Sequence, residues 1–151
     1  MTNNIFEKSV TDSLINRINQ LTPTTPNQWG KMNVAQMLAH CNVTYETTYE
    51  NQHPKPNALV KFMLKILAKP TVVGSKPYKK NGQTAPHFII KESKDFEAEK
   101  VRLIQYLKKT QELGEEHFHN RESHSFGRLS QEEWSTMFYK HLDHHLRQFG
   151  V

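Results

Sequence analysis

Two histidines stand four residues apart near the end of the chain: His141 and His145, in His141-Leu142-Asp143-His144-His145-Leu146-Arg147-Gln148. On a helix that spacing projects both imidazoles from one face, one turn above the other. Two imidazoles so placed can grip one transition-metal ion when a third ligand arrives from elsewhere. His40, in Met37-Leu38-Ala39-His40-Cys41 on an earlier amphipathic segment, is the candidate third ligand. His144, three residues after His141, competes with His145 on spacing. Taken alone, a His-x-x-x-His pair fits surface or hydrogen-bonded core histidines equally well.

Other reactive side chains carry weaker signals. A metalloprotease helix needs a glutamate directly after its first histidine, and Leu142 holds that place, so peptidase chemistry is not expected. Cys41 adjoins His40, but neighbouring helical positions diverge by roughly 100°, which places the two poorly for sharing a proton; a small packed residue is the expectation. His117 and His119 lie in a charged stretch and are expected in solvent, as is Asp143. His124, beside the turn feeding the last helix, is the candidate acid/base or substrate contact, the alternative being a turn residue bonded to backbone. Tyr45, Glu46 and Gln148 fall near the three histidines by helical spacing.

These residues need helices to hold them. Phe6, Val10, Leu14, Ile18 and Leu21 predict a first helix from about Asn4 to Leu21, ended by Thr22-Pro23. Trp29-Gly30 follows as an expected anchor against the core. Asn33 with Gln36 forms a capping box for a second helix that carries His40 and frays near His53-Pro54. Asn57–Lys69 is apolar on nearly all sides except for Lys61, Lys65 and Lys69. That pattern predicts a helix buried in the fold or in a dimer, with a membrane-surface helix as the alternative. Residues 70–92 are punctuated by Pro70, Gly74, Pro77, Gly82 and Pro86, with a short extended piece expected at His87-Phe88-Ile89-Ile90. Asp95 caps a long helix to about Leu113, Gly114–Gly127 is expected as a loop, and Ser130 with Glu133 opens the final helix. Four substantial helices and at most one short strand predict an all-α, antiparallel four-helix bundle with an extra short helix and irregular loops, in one domain over residues 1–151.

Composition narrows the classes. An apolar fraction of 36%, with eight Phe and two Trp, predicts a packed globule rather than disorder. No apolar run is long enough to cross a bilayer, and the start has no signal-peptide pattern, so a cytoplasmic location with no membrane partner is expected. A single cysteine excludes an internal disulfide and a cysteine-built zinc finger. The net charge of +5 and pI near 9.3 raise nucleic acid, but the lysines are dispersed and no nucleic-acid motif is present, so a solvated lysine surface is expected instead.

With these residues in view, the chain resembles the DinB/YfiT-like superfamily of metal-dependent enzymes. The resemblance runs over most of the chain. It rests on Trp29-Gly30-Lys31-Met32 leading into Met37-Leu38-Ala39-His40, and on His141, His144, His145 and Gln148 in a His-x-x-His-His-x-x-Gln pattern. The stretch His124-Ser125-Phe126-Gly127-Arg128-Leu129-Ser130, followed by Glu133-Trp134, is similar to a DinB-like subgroup of uncharacterised function. The resemblance implies a four-helix bundle and a site for zinc, nickel or iron built from His40, His141 and His145. It also implies a homodimer and a small-molecule substrate, with a low-molecular-weight thiol favoured because better-studied relatives transfer thiols onto electrophiles. Three neutral imidazoles leave a divalent cation its full charge and an open position, where a thiol or a water would lose its proton. Thiol transfer, hydrolysis and non-catalytic metal or ligand binding are therefore the readings to separate.

Overall fold

Asparagine side chains compete with helix starts by bonding to nearby backbone, and this shortens the first helix. The structure, a computed structural model describing residues 3–151, begins α1 at Lys8 and ends it at Asn19. Before it, Asn4 Oδ1 accepts from Phe6 N at 3.0 Å and the Thr11 hydroxyl donates to Ile5 O at 2.7 Å. Ile5, Phe6 and Leu21 still reach the core from these flanking turns.

α2 spans Val34–Tyr49, ending four residues before the expected His53-Pro54 boundary. Its predicted capping box is present, with Gln36 N donating to Asn33 Oδ1 at 2.9 Å. Twelve of its residues are buried, so α2 is the central element. α3, Ala58–Leu67, corrects one branch of the expectation, burial within the fold: none of its residues is buried there. A short α4, Lys69–Val73, follows, and the piece expected to be extended is a 3-10 turn at Pro86–Phe88. α5 spans Phe96–Phe118, with the Asp95 side chain accepting from Ala98 N at 2.8 Å.

The loop expected from Gly114 to Gly127 is largely ordered instead. Gly114 takes φ +71° inside α5, a left-handed value open to glycine. That kink lets a last turn carry Phe118 into the core, where its ring stacks on Phe6 at 5.2 Å. Strands β1, Arg121–Ser123, and β2, Gly127–Leu129, then pair antiparallel, with Glu122 opposite Arg128. α6, Gln131–Gln148, opens on the predicted Ser130–Glu133 capping box.

The described residues therefore make a mostly helical fold with one small two-stranded sheet. α2 packs on α5 and α6, and α1 packs on both α5 and α6. Leu14, Ile18, Leu38, Leu103, Leu107 and Trp134 fill the space between them. Each such aliphatic burial contributes about 1.5–3 kcal/mol. Tyr45 is stacked between Tyr106 at 5.4 Å and Phe138 at 5.0 Å, which ties α2, α5 and α6 together. Among the described residues no helix is long and apolar enough to cross a membrane.

Candidate metal centre

His40 lies in mid-α2, and His141 and His145 lie one turn apart on α6, so the α2–α6 contact decides whether they meet. They do. The ring centroids are 4.5 Å apart for His40 and His145, 4.9 Å for His40 and His141, and 4.9 Å for His141 and His145. One ring nitrogen from each lies within 4.8 Å of the other two. His40 and His145 are buried and His141 is partly buried.

The outer hydrogen bonds decide which nitrogen faces inward. His40 Nδ1 is 2.9 Å from the Phe88 carbonyl, which can only accept, so this nitrogen carries the proton. His145 Nδ1 is 2.7 Å from Gln148 Oε1, whose orientation follows from its amide nitrogen donating to Trp29 O at 2.8 Å. His145 therefore also holds its proton on Nδ1. In both rings the Nε2 lone pair is left for the centre. His141 Nδ1 lies 3.1 Å from the Thr44 hydroxyl, which can donate or accept, and its Nε2 is 3.0 Å from His40 Nε2. Thr44 is thus the one outer partner able to serve either tautomer of its histidine.

Electrostatics keep the three rings neutral. Burial is the main cause lowering the pKa of His40, with the neighbouring His144 adding to it. Burial, then the charges of His145 and His40, hold His141 well below the ordinary imidazole value. Burial, then His40, pushes His145 down to about 3. Neutral imidazoles with inward lone pairs are the form that ligates a cation, and the set fits zinc or another late divalent transition metal.

The remaining candidates fall elsewhere. His144 packs between Trp29, at 5.8 Å, and Tyr78, at 5.6 Å, beside the cluster rather than within it. Trp29, expected as an anchor against the core, is partly buried with its ring against His144. His124 bonds to Ser125 Oγ at 2.8 Å and to the His53 carbonyl at 3.3 Å, and its ring neighbours His87 at 5.6 Å. Asp143, expected in solvent, is mostly buried between Arg17 and Arg147, each at 2.8 Å. Cys41 is buried beside Met37 and its thiol pKa is raised by burial, as packing predicts. His117 is bonded to Arg121 on the surface. Of Tyr45, Glu46 and Gln148, only Gln148 reaches the histidines.

Sequence reasoning missed Phe88, Thr44 and the Trp29 carbonyl. One signal for the last was present: Gly30 has φ +82°, and a Cβ there would sit 2.5 Å from Gln148 Nε2. The Trp29-Gly30 pair is therefore what lets Gln148 approach. A cleft of about 500 Å3 lies on another face of α2, lined by Val43, Glu46, His53, His87, Glu99 and Arg102, and includes none of the three histidines.

The family described as "Protein of unknown function (DUF1569)" matches the chain over residues 6–150. The chain belongs to that family. No curated protein and no solved structure matches it. Within this DUF1569 chain the matched span takes in every element that builds the centre, from Trp29 to Gln148.

Proposed function

We propose that this DUF1569 protein is a divalent-metal-dependent enzyme of the DinB/YfiT-like kind. In this reading α1, α2, α5 and α6 form an antiparallel four-helix bundle, and His40, His141 and His145 hold zinc, nickel or iron. One observation carries it: three neutral imidazoles converge from two helices while two of their Nδ1 protons are tied outward by carbonyls. His40 and His145 turn Nε2 lone pairs inward, and the His141 Nε2 can lend a third when its proton sits on Nδ1 against the Thr44 hydroxyl.

A divalent cation held by His40, His141 and His145 would supply Lewis-acid chemistry, lowering the pKa of a thiol or water brought to it. The chain's own residues do the rest. Gln148 and the Phe88 carbonyl orient the His145 and His40 rings, which fixes their tautomers and makes them more basic ligands. Tyr78, its ring 6.4 Å from His141, and Phe88, at 5.8 Å, wall the centre with aromatic surface that limits water. The favoured reaction is thiol transfer: the thiol sulfur forms a bond to an electrophilic carbon, the leaving group departs with its electron pair, and the thiol proton passes to solvent.

Elemental analysis of purified protein, beside a His141→Ala/His145→Ala variant, tests the metal. About one equivalent in the parent and none in the variant is expected; no stoichiometric metal after incubation with zinc, nickel or iron would refute the reading. Loaded protein is then offered a panel of low-molecular-weight thiols with alkyl and epoxide electrophiles, with products read by mass spectrometry. A chelator that collapses the fold, with no thioether product from the panel, would make the metal structural.

A further inference from the structure

A surface helix ordinarily turns its apolar side inward and its charges outward. α3 does the reverse. Lys61 pairs with Glu122 on the hairpin, and Lys69, just past its end, pairs with Glu133 of α6 at 2.8 Å, so two lysines of the stripe are tied to the body of the protein while Lys65 between them is exposed. The opposite face carries Leu59, Phe62, Met63, Ile66 and Leu67, each 49–71% exposed, side by side on one short helix. Single exposed apolar residues need no explanation; a contiguous patch marks an interaction surface.

The stretch of chain that carries that patch is charged with one sign only. Residues 51–91 hold eight lysines and no aspartate, glutamate or arginine, a charge of +8 that leaves −3 for the rest of a chain whose net charge is +5. Lys55, Lys65, Lys76, Lys79 and Lys91 of this segment are exposed. A symmetric pairing of two copies through α3 would set two such segments against each other with no acidic residue inside either. An anionic lipid surface supplies the missing complement, both hydrocarbon and negative charge.

We infer that α3 and its flanking lysines dock this protein on the surface of an anionic bilayer, with the apolar face of α3 lying in the interfacial plane. At 10 residues α3 is about 15 Å long, half of what spanning requires, so it lies on the bilayer and does not cross it. The lack of a spanning run, from which no membrane partner was expected, does not bear on a helix in this orientation. Tyr78 and Phe88, whose rings lie against His141, belong to the same lysine-rich stretch of chain.

Vesicle co-sedimentation of the full chain tests this. The vesicles are phosphatidylserine with phosphatidylcholine, against phosphatidylcholine alone. Binding is expected to the anionic vesicles only, to weaken with salt, and to fall about tenfold or more in Phe62→Ser/Leu67→Ser and in Lys65→Glu/Lys76→Glu. These side chains are exposed, and circular dichroism checks that the variants keep their helices. Three results overturn the inference: no binding to anionic vesicles, binding that both variants retain, or a dimer in sedimentation velocity that Phe62→Ser/Leu67→Ser splits without any vesicle binding. None of these readouts depends on metal, so they stand or fall apart from the proposed chemistry.

Discussion

Replacing Gln148 by leucine should weaken metal binding without emptying the core. Gln148 is buried, and its amide makes two contacts: Oε1 accepts from His145 Nδ1 at 2.7 Å and Nε2 donates to Trp29 O at 2.8 Å. Leucine fills similar volume but supplies neither. His145 then loses the acceptor that fixes its tautomer and orientation, and loss of such an outer partner typically lowers metal affinity by about 10–100-fold. That is about 1.4–2.8 kcal/mol of binding free energy. Gly30→Ala attacks the same contact from the other side. Its Cβ would stand 2.5 Å from Gln148 Nε2, and the left-handed backbone adds about 1–2 kcal/mol of strain. Both variants should therefore shift zinc affinity the same way. Arg147→Ala, one residue from Gln148 but with its side chain largely exposed and paired to Asp143, should leave affinity unchanged. The assay is competition between metal-free protein and a chromophoric chelator at pH 7.5, with thermal melts of the metal-free forms alongside. Gln148→Leu protein that binds zinc as tightly as the parent would refute the reasoning, because the Gln148 contact would then have no part in presenting His145.

Three further outcomes follow from the described contacts. The pKa values of His40, His141 and His145 are depressed mainly by burial, so unfolding takes up protons below about pH 6.5. The metal-free protein should be fully stable above that pH and lose stability as pH falls toward the folded values, by up to about 1.4 kcal/mol per pH unit for each histidine; urea titrations at pH 7.5 and 5.5 that coincide would contradict this. Ser130→Ala removes the cap of α6 and should cost about 1 kcal/mol in thermal melts, leaving zinc affinity unaltered in the loaded, folded protein. Arg102→Met strips the cation held by Glu46 at 2.5 Å and Glu99 at 2.9 Å; with Arg102 itself about one-third exposed, a loss of about 1–2 kcal/mol in urea is expected, again without change at the metal centre.

The parts legible in the sequence are those set by local chemistry. Asn33 with Gln36 and Ser130 with Glu133 announce helix starts because a cap bonds within three residues of itself. His141 and His145 declare a shared face through spacing alone, whereas His40, at the margin of the apolar face of α2, is joined to them by the family resemblance and not by its spacing. What stayed hidden depended on partners distant in sequence. Apolar periodicity in residues 58–67 shows that α3 has an apolar face, but not which way it turns, which depends on Glu122 and Glu133 reaching Lys61 and Lys69. Asp143 looked solvated on α6 because Arg17, 126 residues earlier, carries no mark of the pairing. Gly114 looked like a helix stop because a positive φ usually ends a helix, whereas here one more turn follows and delivers Phe118. The acceptors at Phe88 and Trp29 are main-chain atoms, which leave no residue-type signature.

That last point shapes how the molecule can change. Because the peptide oxygen at position 88 holds the His40 ring, and that at position 29 holds the Gln148 amide that in turn holds His145, substitutions at those two positions need only preserve the path of the chain. The aromatic lining can therefore diversify, reshaping what is admitted, while the donor triad beneath it stays constant. Differently lined centres are accessible by ordinary replacements along 86–90 that leave His40, His141 and His145 in place.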